Sequence, residues 1–252
     1  MVRRFEIFLF LCWYAVTRPT WAYYWLVVVI GGRTVGLHPF APDASRVRSV
    51  EAALAELFTA ERPSADTVFD PRGESENPAV PLSFDVSNAL LALLDGTIRA
   101  LRPAKVVEVG VARGATSRVI LEALHALQAG TLHSVEFPVP RFGYRAAVGS
   151  LVPPSLRGGW ELIFGPEKTE LPPLLKRLGT IDLFLHDAAH NYAEQRDAID
   201  LVLPYLRPGG VLIMDDLFSS AFADTCKRHA LDYLLVRQPG KSGLIGILRK
   251  PS

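Results

Sequence analysis

Between residues 105 and 214 the sequence alternates between short apolar runs rich in β-branched residues and longer segments with helical spacing of apolar side chains. Such alternation is typical of a parallel β-sheet that is covered by helices on both faces. Strands are predicted at residues 105–109, 131–137, 161–164, 181–186 and 210–214. Helices are predicted at residues 85–101, 116–128, 170–178, 193–206 and 219–230. The sequence therefore predicts a fold of the α/β class.

The C-terminal part has a different pattern. Two β-runs, residues 233–237 and 244–249, are joined by residues 239–243, which include Pro239 and Gly240. A connection this short forces the two strands to run antiparallel. The complete prediction is a seven-stranded, mostly parallel sheet that ends in an antiparallel hairpin.

Three regions are predicted along the chain. Residues 1–40 form an apolar N-terminal segment, residues 41–81 a helix and a linker, and residues 82–252 the α/β domain. The helix is expected over residues 43–62, where apolar residues recur at helical spacing. The linker is expected over residues 63–81, which are rich in Pro, Ser, Asp and Glu.

The N-terminal segment contains two apolar, aromatic-rich runs, residues 5–14 and 21–30, separated by Arg18 and Pro19. Each run alone is too short to span a bilayer, and one helix through both would bury a charge beside a helix-breaking proline. Its Trp and Tyr side chains suit a membrane interface, so peripheral membrane contact is one option. A secretory signal, a buried subunit-contact helix of a homo-oligomer and an overlong start of the reading frame are the others.

Charge and cysteine content limit the classes of function. The 27 Lys and Arg residues nearly balance the 26 Asp and Glu residues, so no general attraction to nucleic acid is expected. The two cysteines, Cys12 and Cys226, belong to no CxxC pair, and neither a zinc site nor a disulfide framework is indicated. We therefore expect a cytoplasmic protein, with membrane association as an option, whose partner is a small molecule.

A glycine-containing turn follows the first predicted strand and opens directly into a helix. It reads Glu108-Val109-Gly110-Val111-Ala112-Arg113-Gly114-Ala115-Thr116. Gly110 permits a tight turn and a close approach of backbone to ligand, and Gly114 lets the helix begin near the strand. A dinucleotide-binding GxGxxG motif would need glycines where Ala112 and Ala115 stand, and no P-loop Lys follows Gly114, so neither motif is present.

An acidic residue ends the second predicted strand, in Ser134-Val135-Glu136. In an open parallel sheet, ligands bind beyond the carboxyl ends of the strands, where such a carboxylate can accept hydrogen bonds from two ribose hydroxyls. Together with the E-x-G-x-x-x-G turn, Glu136 predicts a pocket for a nucleoside cofactor.

These motifs resemble those of class I S-adenosylmethionine-dependent methyltransferases, over roughly residues 82–250. The segments 182–192 and 203–210, followed by Met214-Asp215-Asp216, are similar to small-molecule O-methyltransferases related to catechol and macrolide-sugar enzymes. The resemblance implies a Rossmann-like fold and S-adenosyl-L-methionine as cofactor. It also implies a division of the cofactor site, in which Glu108, Gly110 and Gly114 contact the methionine part and Glu136 holds the ribose. Thr116, at the start of the helix, completes the predicted cofactor-binding set.

Acids also follow the fourth and fifth predicted strands, at Asp187, Asp215 and Asp216. By the resemblance they would bind a divalent metal, and carboxylates are the hard oxygen ligands that Mg²⁺ prefers. A bound cation would lower the pKa of a substrate hydroxyl and orient its oxygen. Related sequences often read Asp-Gly-Asp-His at the fourth strand. This sequence reads Asp187-Ala188-Ala189-His190 and lacks the second acid.

The predicted activity is O-methylation of a small-molecule hydroxyl, on a sugar, a lipid-linked glycan or a phenol. Asp187 and His190 are the predicted catalytic residues, with His190 as a candidate general base because imidazole titrates near neutrality. Two alternatives stay open. One is a methyltransferase-like nucleoside-binding protein without transfer activity, for which the missing acid at Ala189 is an argument. The other is a Rossmann oxidoreductase, which the glycine spacing disfavours.

Overall fold

The computed structural model of the protein describes residues 11–31, 40–58, 79–80 and 86–252. Some predictions fall outside the described residues. They concern the first part of the N-terminal apolar run, most of the linker predicted over residues 63–81, and Asp85 at the start of a predicted helix.

An eight-stranded sheet forms the centre of the described structure, in the order β1-β7-β8-β6-β5-β2-β3-β4. The strands are β1 (Val47–Arg48), β2 (Lys105–Val109), β3 (Thr131–Glu136), β4 (Trp160–Phe164), β5 (Ile181–His186), β6 (Leu206–Leu217), β7 (Leu234–Arg237) and β8 (Leu244–Arg249). Strand β8 pairs antiparallel with both β6 and β7, whereas the other described pairs are parallel. The predicted mostly parallel sheet with a C-terminal antiparallel hairpin is therefore confirmed.

Helices surround this sheet. In chain order they are α1 (residues 11–17), α2 (Pro19–Gly31), α3 (Val50–Leu57), α4 (Asn88–Leu101), α5 (Ala115–Leu127), α6 (Tyr144–Ala147), α7 (Glu167–Leu178), α8 (Tyr192–Val202) and α9 (Ala221–Arg228). Apolar side chains pack on both faces of the sheet. In β5, for example, Leu183 and Leu185 belong to one buried cluster and Phe184 to another, because successive strand residues face opposite ways.

Two details of the predicted sheet were wrong. The sheet has eight strands rather than seven, because Val47–Arg48 adds an edge strand that pairs with β7. These residues lie in the region predicted to be helical, but α3 begins only at Val50, after Ser49 accepts a hydrogen bond from the Ala52 amide as the N-cap. Strand β6 also begins at Leu206, earlier than predicted, and includes Pro208 with an irregular pairing to β5.

The topology fixes where a ligand can bind. Strand β2 lies between β3 on one side and β5 on the other, and β6 follows β5. The connections leave β2 in opposite directions, and open α/β sheets bind ligands in the crevice at such a switch point. The carboxyl ends of β2, β3, β5 and β6 therefore define the region in which the predicted site residues meet.

The N-terminal segment packs on the α/β domain. Helix α2 begins with Pro19, a position where proline is well tolerated. The Trp21 and Trp25 rings lie 5.6 Å and 4.7 Å, centroid to centroid, from the ring of Phe137, which follows β3. The side chains of Tyr23 and Leu26 are exposed. Within the described ranges, no helix combines the length and apolar character needed to cross a membrane.

Candidate active site

The turn after β2 is held against the ends of the two neighbouring strands by main-chain contacts. Gly110 has a φ of 91°, and its amide donates to the Val135 carbonyl of β3 at 3.0 Å. A Cβ atom on Gly110 would lie 1.8 Å from the main-chain oxygen of Asp187. The Asp187 amide also donates to the Val109 carbonyl at 2.8 Å. Only glycine allows the turn and the end of β5 to approach this closely.

Gly114 has a related role at the start of α5. It adopts a φ of 87°, and an added Cβ would lie 2.9 Å from the Cα of Gly149. The Gly149 amide donates to the Ala112 carbonyl at 3.0 Å, which joins the turn to the segment after α6. The glycine spacing seen in the sequence thus reflects two close backbone approaches.

Glu136 closes the turn from the end of β3. Its Oε2 accepts hydrogen bonds from the amides of Val111 (2.6 Å) and Ala112 (3.0 Å), and its Oε1 accepts one from the Tyr144 hydroxyl at 3.2 Å. Burial raises the pKa of Glu136, although these hydrogen bonds oppose the shift. Since Oε2 is engaged by the turn, Oε1 is the oxygen that remains for a ribose hydroxyl.

Glu108 lies behind the turn, fully buried. Its carboxylate accepts hydrogen bonds from the hydroxyls of Thr116 (2.6 Å), Ser117 (2.7 Å) and Ser134 (2.6 Å). Burial raises its pKa against these three hydrogen bonds. The structure therefore places Glu108 where it joins β2, β3 and the start of α5, while Thr116 and Gly110 reach the cavity wall.

A cavity of about 410 Å³ extends from this turn to the ends of β5 and β6. The volume falls in the range of small-molecule sites, which is roughly 300–1,000 Å³. Apolar and aromatic side chains from four parts of the chain line it, namely Tyr24, Trp25, Val86, Phe137, Val139 and Leu151. Polar residues of the lining include Glu136, Asp187, His190, Asp216 and Lys241. Of the predicted site residues, Gly110 and Thr116 also line this cavity, whereas Glu108, Gly114 and Asp215 are not part of its lining.

Asp215 and Asp216, at the end of β6, both face the ammonium group of Lys241. The Lys241 Nζ is 3.6 Å from Oδ2 of Asp215 and 3.2 Å from Oδ2 of Asp216. Successive side chains of a regular strand face opposite ways, but Asp216 has a left-handed φ of 47°. The turn of the chain at Asp216 brings both carboxylates to the same cation.

These carboxyl groups influence one another. Burial and the charge of Asp215 raise the pKa of Asp187 well above its usual value, and the charge of Lys241 opposes this. Burial and the charge of Asp216 raise the pKa of Asp215 to about 6. Asp215 is fully buried, and the charge of Lys241, 3.6 Å from its Oδ2, opposes this rise.

The donor set does not fit the predicted divalent metal. In the part of the chain that the structure describes, no three His, Cys, Asp or Glu side chains are grouped to hold an ion. Lys241 supplies the positive charge beside Asp215 and Asp216, and the Gln238 side chain donates to Asp216 Oδ1 at 3.1 Å. A Mg²⁺ ion would need oxygens at about 2.0–2.1 Å in octahedral geometry. The metal at Asp187, Asp215 and Asp216 therefore stays a prediction, one that the residues as placed here do not fit.

His190 lines the same cavity. Burial lowers its pKa to about 4, although the charge of Asp216 acts in the opposite direction. Its Nδ1 is buried and lacks a hydrogen-bond partner among the described residues, and its ring meets Phe218 edge-on at 6.1 Å. The imidazole is therefore neutral at pH 7. It can form a hydrogen bond to an acceptor hydroxyl, but it is a weak base for removing that proton.

Several cavity residues were not predicted from the sequence. Pro166, Glu167 and Lys168 follow β4, the parallel neighbour of β3, and this position could have indicated them. Lys241 lies in the hairpin turn beside the end of β6, where Leu217 pairs with Leu244. An antiparallel hairpin next to β6 must place its turn at that edge, so this signal was also available. Tyr24, Trp25 and Tyr144 had no comparable signal.

Comparison with known proteins agrees with this geometry. Residues 107–217 match a family profile described as a methyltransferase domain. The O-methyltransferase TomG from Streptomyces achromogenes, which is involved in tomaymycin synthesis and was solved with S-adenosylmethionine, matches with a TM-score of 0.55 at 17% identity. The match covers 68% of this chain and 83% of that chain. No curated protein sequence gives a significant match.

Two further solved structures are similar. The O-methyltransferase from Bacillus cereus, in complex with S-adenosylhomocysteine, has a TM-score of 0.51 at 15% identity over 88% of this chain and 97% of that chain. The methyltransferase PaMTH1 from Podospora anserina, also bound to S-adenosylhomocysteine, has a TM-score of 0.51 at 18% identity over 82% and 91%. At these identities the likeness establishes the fold.

The family match extends from β2 to the end of β6 and so includes the strands whose carboxyl ends form the cavity. It also includes the glycine turn and Glu136, the two features from which the cofactor was predicted. The methyltransferase assignment made from the sequence is thereby confirmed, and residues 107–217 belong to a methyltransferase domain.

Proposed function

We propose that the protein methylates a phenolic hydroxyl of a small, largely apolar acceptor. The observation that carries this proposal is one cavity whose lining includes the glycine turn, Glu136, Asp187 and His190. A methyl donor and its acceptor must lie together in one such space for a direct transfer.

In this proposal the part of the cavity near the glycine turn holds the cofactor. Gly110 brings the main chain close to the methionine part of S-adenosyl-L-methionine, and Thr116 adds a hydroxyl at the helix start. Gly114 supports this arrangement by letting α5 begin against Gly149. Glu136 holds the ribose through Oε1, while Glu108 acts as a positioning residue that keeps the turn in place. S-adenosyl-L-methionine, when bound, supplies an electrophilic methyl group that an oxygen nucleophile can accept.

The acceptor end favours an acidic hydroxyl. His190 is neutral and weakly basic, with its pKa lowered to about 4 by burial, so it suits an acceptor that ionises readily. A phenol, with a pKa of about 10 in the tyrosine side chain, meets this condition. Alkyl hydroxyls have much higher pKa values, close to that of bulk water, and would require a stronger base. Sugars and lipid-linked glycans are therefore the second choice.

Asp187 and His190 have different roles in this proposal. Asp187 lies at the end of β5, where the hydrogen bond from its amide to the Val109 carbonyl fixes it next to the glycine turn. We assign it to contact with the acceptor, and we assign His190 to a hydrogen bond with the acceptor hydroxyl. Mg²⁺ is left out of the proposal, because Lys241 already places a positive charge beside both Asp215 and Asp216.

The wider predictions about partners stay predictions. Peripheral membrane contact would involve exposed side chains of α1 and α2 such as Trp13, Val16, Tyr23 and Leu26. Assembly into a homo-oligomer and the expected lack of nucleic-acid binding belong to the same group. None of these is needed for the proposed transfer.

Two measurements test the proposed function. Titration calorimetry with S-adenosylhomocysteine should show binding, and NADH should not compete. Transfer of a labelled methyl group should then be assayed over a panel of phenols, sugars and polyprenyl-linked glycans. Binding without transfer to any acceptor would favour the nucleoside-binding alternative, and transfer to sugars alone would overturn the choice of a phenol.

A further inference from the structure

We propose that the ammonium group of Lys241 takes the place of the divalent cation in this enzyme and binds the acceptor oxygen directly. The proposal rests on the proposed function, because it assigns the residue that activates the hydroxyl group. It makes Lys241 a catalytic residue and the transfer independent of metal.

The main chain fixes the position of Lys241. It lies in the β7–β8 turn, where its amide donates to the Gln238 carbonyl at 3.0 Å. Gly243 allows this turn to approach the end of β6, since a Cβ there would lie 2.8 Å from Oδ1 of Asp216. Without that approach the lysine side chain would lie farther from the carboxylates.

The surroundings of Lys241 are those of a bound cation. Its Nζ lies 3.2 Å from Oδ2 of Asp216 and 3.6 Å from Oδ2 of Asp215, whose carboxylate is fully buried. Burial lowers the pKa of Lys241, but the charges of Asp215, Asp216 and Asp187 more than offset this and raise it. Its ammonium group therefore keeps its charge at neutral pH.

Lys241 also faces the cavity. Its side chain is 26% exposed and belongs to the cavity lining together with His190 and Asp187. An ammonium group has three N–H donors, and one of them donates to Asp216. The remaining donors can bind an oxygen that enters the cavity beside His190.

The chemistry balances without a further reactant. The O–H bond of the acceptor breaks and its proton passes to water, while the ammonium group stabilises the oxygen anion that is left. That oxygen then forms a bond to the methyl carbon. The carbon–sulfur bond breaks, and its electron pair stays on sulfur. Lys241 keeps its proton throughout and acts by charge and position.

The test compares Lys241→Met, Lys241→Arg and the wild type, with and without EDTA, on the phenol panel. Lys176→Met is the matched control, because Lys176 is exposed on α7. We expect EDTA to leave the wild-type rate unchanged and Lys241→Met to lower kcat by about 100-fold or more. Affinity for S-adenosylhomocysteine should stay within about threefold in Lys241→Met, and Lys241→Arg should retain more activity because it keeps the charge.

Two outcomes of the rate measurements overturn the proposal. One is a wild-type rate that EDTA abolishes and Mg²⁺ restores. The other is a Lys241→Met variant that binds S-adenosylhomocysteine normally and turns over at the wild-type rate.

Mn²⁺ binding, followed by electron paramagnetic resonance, separates this proposal from the proposed function because it needs no turnover. Wild-type protein should take up no Mn²⁺ at this position. Uptake by the wild type that Asp215→Asn abolishes would overturn the role of Lys241, whatever the acceptor. If the wild type methylates no phenol and takes up no Mn²⁺, the proposed function fails while Lys241 stands as the cation of the site.

Discussion

The indole ring of Trp25 stacks on the phenyl ring of Phe137, with the ring centroids 4.7 Å apart and the planes inclined by 23°. Phe137 directly follows Glu136, which ends β3. An aromatic side chain of the N-terminal segment is thus part of the wall beside the residue assigned to the ribose. The segment contributes to the cavity lining as well as to the surface.

Replacing Trp25 by Ala is expected to weaken binding of S-adenosylhomocysteine by about tenfold, because a stacked aromatic wall of the cavity is lost. The domain should stay folded, since the sheet and its two buried clusters are untouched. Calorimetric titration checks the affinity. Tyr23→Ala, at an exposed neighbour in the same helix, is the control and should bind normally. Equal affinity of the two variants would contradict the assigned wall.

Replacing Glu136 by Ala should weaken binding of the same ligand by at least about tenfold, because charge-assisted hydrogen bonds to the ribose are lost. Stability should also decrease, since the amides of Val111 and Ala112 lose their acceptor. Tyr144→Phe is the matched comparison, because it removes only the protein donor to Oε1. Affinity should be measured with thermal unfolding. Unchanged affinity in Glu136→Ala would move the ribose elsewhere.

Gly110→Ala should destabilise the protein by about 3 kcal/mol or more, because the new Cβ meets a main-chain oxygen and the φ of 91° strains any other residue. Gly158→Ala is the matched control, since a Cβ there would have no heavy atom of the described residues within 4 Å apart from those of its chain neighbours. Urea unfolding of both variants measures the difference. Equal stability would mean that the turn and the end of β5 can separate at little cost.

The Glu108→Gln variant tests whether the raised pKa of this buried carboxyl group makes the stability of the protein depend on pH. Burial raises the pKa of Glu108 above its usual 4.5, so the folded protein holds a proton that the unfolded chain releases. The unfolding free energy of the wild type therefore falls as the pH rises from 4.5 to the raised pKa. The amide cannot titrate, so the stability of the variant relative to the wild type should rise over this range. Urea unfolding at several pH values measures the difference, and a constant difference would contradict the shift.

The sequence predicted the interior strands better than the edges. The predicted bounds of β2 and β5 match the structure, because both strands consist mostly of apolar residues and are buried on both faces. Val47 and Arg48 were missed because a two-residue strand shows no alternation of its own and exists through its pairing with β7. Strand propensity and hydrophobic periodicity carry no information about such a partner strand.

In the candidate site, the acidic residues at the strand ends could be predicted from the sequence. The cation beside them, the ammonium group of Lys241, could not. Asp187, Asp215 and Asp216 do lie at neighbouring strand ends, as expected from the sheet. Lys241 reaches them from a turn that comes much later in the chain, after the C-terminal hairpin has folded back on β6. Trp25 reaches the cavity from the opposite end of the sequence. Contacts of this kind depend on the tertiary fold.

The position of β8 has a consequence for how the molecule assembles. This strand, at residues 244–249, lies between β6 and β7, and β7 in turn carries β1 from residues 47–48. The strands β8, β7 and β1 therefore cannot pair alongside β6 until the ribosome has released nearly the last described residues. During synthesis β6 would present an unpaired edge, and pairing of such distant segments is slow. Chaperone dependence and aggregation of nascent chains are expected to concentrate at this edge.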